Sequence, residues 1–104
     1  MAKYLLVYHG GSMPEGEEEQ GRVMAAWGAW FESLGAGLAD GGNPVSQTKT
    51  VSGDSVSDGG GANPATGYSL ITADSMDAAV SHAKGCPVLQ SGGTIEVAET
   101  FDLM

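Results

Sequence analysis

The run Lys3-Tyr4-Leu5-Leu6-Val7-Tyr8 constrains this chain more than any other feature, because it is apolar at adjacent positions and therefore on both alternating faces. A strand of that kind belongs inside a sheet, with helices over one face and another sheet or subunit over the other. His9-Gly10-Gly11 ends the run. Ser12-Met13-Pro14-Glu15 then has the form of a capping box with proline in the first helical turn, which predicts a helix opening there.

Helical spacing follows. Val23, Trp27, Trp30 and Leu34 recur at the period of one helix face, with Met24 and Phe31 beside them, so a broad stripe faces a core. Glu15, Glu17, Glu18 and Glu19 crowd the opening turns, where negative charge complements the helix dipole, and Gly35 and Gly37 suit the end. A second helix is predicted where Asp74 or Ser75 can cap a face of Met76, Ala79, Val80 and Ala83, closed by Gly85 and Pro87.

Tyr68-Ser69-Leu70-Ile71-Thr72 and Thr94-Ile95-Glu96-Val97-Ala98 read as strands. Leu38-Ala39-Asp40, Thr48-Lys49-Thr50-Val51 and Ser55-Val56-Ser57 read as weak edge strands, the last two joined at Gly53-Asp54. The glycine-rich stretch 58–67 has almost no apolar bulk and is the longest predicted loop. This order is that of an α+β, ferredoxin-like split βαβ unit, an antiparallel sheet with both helices on one face. Residues 1–104 form a single domain in this reading, without internal repeats.

Thirteen acidic residues against four basic ones give a net charge of −9, which repels polyanions and supplies little of the lysine or arginine that phosphates require. Nucleic acid and membrane are thereby excluded as expected partners. The apolar stretch from Tyr4 to Tyr8 is too brief for a signal-peptide core or a membrane span, so a cytoplasmic location is expected. The single cysteine, Cys86, forms no internal disulfide and reads as a small buried hydrophobe. A chain of 104 residues leaves much of its surface exposed, which favours self-association.

Few residues suggest chemistry. His9, at a strand end beside a Gly-Gly turn, can act as a general base or serve only as a hydrogen-bonded bystander. Asp58 opens the glycine-rich loop, where it can orient a histidine or simply make a turn. His82 lies off the apolar face of its helix and is expected on the surface. The loop lacks the Gly-Lys-Ser/Thr ending of a phosphate-binding loop and precedes a strand instead of a helix, and Val56 and Ala65 fall where a calcium loop needs oxygen ligands. Met24 and Trp27, with Trp30 and Phe31, can line a small-molecule pocket between helix and sheet, although core packing also accounts for them. No metal cluster, cofactor motif or nucleophile with its base stands out.

The first strand, the helix through Met24-Ala25-Ala26-Trp27-Gly28-Ala29-Trp30-Phe31, the following Leu34-Gly35, the Asp58-Gly59 loop, Gly67-Tyr68 and the closing Gly93-Thr94-Ile95-Glu96-Val97 together resemble the YCII-related family, in its branch named for an Asp-Gly-Pro-Phe motif. The resemblance spans nearly the whole chain and implies a ferredoxin-like protomer that pairs into a homodimeric α/β barrel. In that family a histidine early in the first helix and an aspartate are suspected to form an active-site dyad. Met24 holds the histidine position here, and Gly60-Gly61 stand where the motif has Pro-Phe. His9 is then the expected substitute imidazole, supplied from the neighbouring strand end.

The leading expectation is a small dimeric domain that binds a neutral or cationic small molecule in a helix–sheet cleft, with acid/base activity from His9 and Asp58. A hydrolase or lyase using the same pair is the first alternative, and a non-catalytic interaction module the second.

Overall fold

The computed structural model describes residues 2–12 and 14–103. The apolar run becomes the interior strand β1 (Ala2–His9). It lies antiparallel between β5 (Ala65–Ala73) and β6 (Thr94–Glu99), and β2 (Leu38–Asp40) pairs with the far side of β5. The strand order is β2-β5-β1-β6. Between β1 and β2 runs α1 (Gly16–Leu34), and between β5 and β6 runs α2 (Met76–Ala83). Each helix thus carries the chain over one intervening antiparallel strand, which is the interleaved topology of the ferredoxin-like α+β fold. Neither helix is long and apolar enough to cross a membrane.

Alternation along β1 shows which face is covered. Tyr4, Leu6 and Tyr8 are buried with Ile71 and Ala73 of β5, Trp30 and Leu34 of α1, and Ala79 and Ala83 of α2. Leu5 and Val7 point the other way and are only half-buried, as is Leu70 opposite Leu5. Both helices therefore sit on one face, and among the described residues the other face is left open.

The helix starts differ from expectation in an informative way. Met13 lies outside the described residues, and α1 begins at Gly16 with Glu15 as its N-cap, so Ser12 does not cap it. The Ser12 N–H is instead donated to the Ser91 carbonyl, tying the chain to the 3₁₀ turn Pro87–Ser91. The Glu15 N–H is taken by the Glu19 side chain at 3.2 Å. For α2 the cap is Ser75, whose hydroxyl accepts the Ala78 N–H at 3.1 Å. Gly35 ends α1 at a positive φ of 54°, with its N–H on the last-turn carbonyls.

Sequence assigned the segments around 48–57 to an edge of the sheet, and that expectation is corrected. β3 (Lys49–Ser52) and β4 (Ser55–Asp58) pair only with each other as a separate hairpin, and all eight residues are exposed. The physical reason is that Val51 and Val56 are the hairpin's only large apolar side chains, too few to bury it against the main sheet. β5 also begins earlier than predicted, at Ala65. Its Gly67 fits tightly there, since an added Cβ would stand 3.2 Å from the Tyr8 ring and 3.3 Å from the Asn43 carbonyl.

Candidate functional site

The strongest concentration of chemistry is at the end of β1. The register between β1 and β5 shifts between Tyr8 and His9, so that Tyr8 faces Gly67 and His9 faces Ala65. Such a bulge re-aims the side chain beyond it. His9 is buried, with Nδ1 3.2 Å from the Pro64 carbonyl oxygen. A carbonyl only accepts, so Nδ1 donates and the other ring nitrogen is free for chemistry. That atom, Nε2, lies 2.5 Å from Oε1 of Glu96 on β6. Among the described residues Nε2 makes no hydrogen bond. The contact is therefore ionic in character and attractive when the imidazole is protonated.

Burial within this pair is uneven. The His9 side chain is 8% exposed and Glu96 is 71% exposed, so the imidazole is fixed while the carboxylate meets solvent on the open side of the sheet. Such an arrangement can exchange a proton with a bound molecule or hold a positive group against the carboxylate.

Asp58 is held elsewhere. Its carboxylate accepts from Lys49 Nζ at 2.9 Å across the exposed hairpin, and its side chain is 93% exposed. The carboxylate beside His9 is thus Glu96, which sequence reasoning placed in a strand without a role. Its only signal was an acidic residue at an outward position of β6; the register that brings it to His9 is a tertiary fact. His82 is exposed, as expected.

Trp27 packs edge-on against Tyr8, with ring centroids 5.4 Å apart, and also against Trp30 and Phe31. It is half-buried in the core cluster, whereas Met24 is 74% exposed one turn away. Neither residue lines either of the two grooves described. One groove, of about 380 Å³, runs between α2 and β6 and is walled by Met76, Val80, Leu89, Ile95 and Val97 with Lys84. The other, about 250 Å³, lies between Ala36, Gly37 and Thr72 on one side and Ala78 and His82 on the other.

Beneath the aromatic cluster is a buried polar chain. The Tyr8 hydroxyl donates to Ser69 Oγ at 2.6 Å, and Ser69 donates to the Gly41 carbonyl at 2.7 Å. Burial pushes the Tyr8 phenol well above its ordinary range, with the Ser69 bond pulling it partly back, and burial likewise raises the Cys86 thiol. A protonated, 1% exposed thiol is a packing group and no nucleophile.

Fold and site together define a ferredoxin-like α+β domain carrying a histidine–carboxylate pair at the end of its central strand. No family model and no curated protein matches the chain.

Proposed function

We propose that the protein is a homodimeric small-molecule-binding domain in which a second copy covers the open sheet face and encloses the His9–Glu96 pair as its acid/base group. The observation that carries this reading is a buried imidazole whose Nε2, without a hydrogen bond among the described residues, faces a carboxylate on a sheet face that none of those residues covers. Leu5 and Val7 of β1 and Leu70 of β5 supply a half-buried apolar surface beside the pair, of the kind that a stable interface removes from water. The resemblance to the YCII-related family supports the same assembly. A ligand held against Glu96 in a chain of net charge −9 is neutral or cationic. The reading places the protein in the cytoplasm.

A native mass spectrum of the purified protein tests it. A dimer carrying extra mass that is lost in Glu96→Gln supports the proposal. A monomer, or a dimer whose bound mass is indifferent to both His9→Ala and Glu96→Gln, overturns it. The His9–Glu96 contact also favours a second reading, a hydrolase or lyase working through this pair, which requires that turnover of a hydrolysable or eliminable substrate vanish in His9→Ala.

A further inference from the structure

The two most exposed large apolar side chains among the described residues are Phe101 and Leu103, at 82% and 84%, directly after the edge strand β6. Against that same strand lies the apolar groove of Met76, Val80, Leu89, Ile95 and Val97. We infer that the Phe101–Leu103 segment of one copy docks in the α2/β6 groove of a second copy. This inference rests on the dimer reading above.

Three observations choose this occupant. First, Phe101-Asp102-Leu103 alternates apolar, acidic, apolar, so an extended segment puts both apolar side chains into a groove and leaves the aspartate at its rim. Second, the rim offers Lys84, one of only four basic residues in the chain, and its flexible stem can bring the ammonium to that carboxylate. Third, the chain's own segment is badly placed to fill its own groove. Thr100 donates its N–H and its hydroxyl to the Lys3 carbonyl, at 2.9 and 2.7 Å, which holds it in line with β6. Beyond it Phe101 and Leu103 stay exposed and line no part of the groove of their own chain. The β6 edge also has unpaired backbone groups along which an added segment can lie.

Two measurements on the full-length protein test this. Leu103→Cys in one batch and Leu89→Cys in another are mixed under mild oxidation, with Val51→Cys on the hairpin replacing Leu89→Cys as the control. A linked dimer forming preferentially between positions 103 and 89 is the expected result. In parallel, Phe101→Ala with Leu103→Ala weakens the dimer by roughly 10- to 100-fold. Lys84→Glu also weakens it, and Lys84→Glu with Asp102→Lys restores it. A dimer of unchanged affinity in these variants, or cross-linking no better than the control, overturns the docking while leaving the dimer standing. A monomeric wild-type protein overturns both.

Discussion

Glu96 reaches His9 diagonally across the β1–β6 ladder: His9 stands opposite Thr94, Glu96 stands opposite Val7, and the carboxylate closes the gap to 2.5 Å from Nε2. The two residues contribute unequally to the fold. Removing the 71% exposed carboxylate in Glu96→Gln changes unfolding free energy by no more than about 0.5 kcal/mol, because solvent screens the pair and Nε2 of His9 has no hydrogen bond to lose. His9→Ala instead removes a buried ring and its bond to the Pro64 carbonyl, and costs about 1–3 kcal/mol. Urea unfolding of the two variants checks the difference, and equal losses would show that the pair is structural.

The buried chain from Tyr8 through Ser69 to Gly41 is predicted to couple energetically. Ser69→Ala strands the Tyr8 hydroxyl and the Gly41 carbonyl, costing about 1–3 kcal/mol. Adding Tyr8→Phe to Ser69→Ala removes the stranded donor, so the double variant is less destabilised than the two single losses added together. A double-mutant cycle by chemical denaturation reads this directly. Strict additivity would mean that the hydroxyls act separately.

Stability is predicted to fall on the alkaline side. Burial raises the Cys86 thiol above its ordinary 9.0 and the Tyr8 phenol above its ordinary 10.0. Above pH 9 the unfolded chain therefore gives up protons that the fold retains, so it binds fewer of them and unfolding free energy decreases as pH rises. Below pH 9 the contribution of these two groups is fully present and constant. Denaturation midpoints at neutral pH and at about pH 10.5 compare the two regimes, and Tyr8→Phe should flatten the alkaline slope.

What the sequence revealed, and what it hid, follows from the range of the interactions. β1, the stripe of α1 and the cap of α2 are written in neighbouring residues, and they formed as expected because apolar periodicity and a serine cap act locally. Ser12 instead donates its N–H to Ser91, far along the chain, and α1 opens at Gly16, a tertiary contact that no neighbouring residue announces. Likewise the partner of His9 depended on strand register, so Asp58, the acidic residue that its loop made conspicuous, went to Lys49, while Glu96 filled the role unannounced. The hairpin β3–β4 was readable as strands but not as a separate pair, since exposure depends on what the rest of the chain leaves uncovered.

Two glycines give opposite predictions from one substitution. Gly28 is exposed within α1, and a Cβ added there meets nothing within 4 Å. Alanine restricts the unfolded chain and favours the helix, so Gly28→Ala stabilises by about 1 kcal/mol. Gly42 lies at a φ of 73°, and its Cβ would stand 1.7 Å from the Tyr68 carbonyl oxygen, a backbone atom that cannot swing aside. It is also where the Asp40 side chain accepts a backbone N–H, fixing the turn between β2 and the β5 edge. Gly42→Ala must move the turn or Tyr68, at about 2 kcal/mol or more. Thermal unfolding of the two single variants should therefore move in opposite directions; a melting temperature for Gly42→Ala at or above wild type would mean that this turn is not packed against β5 as described.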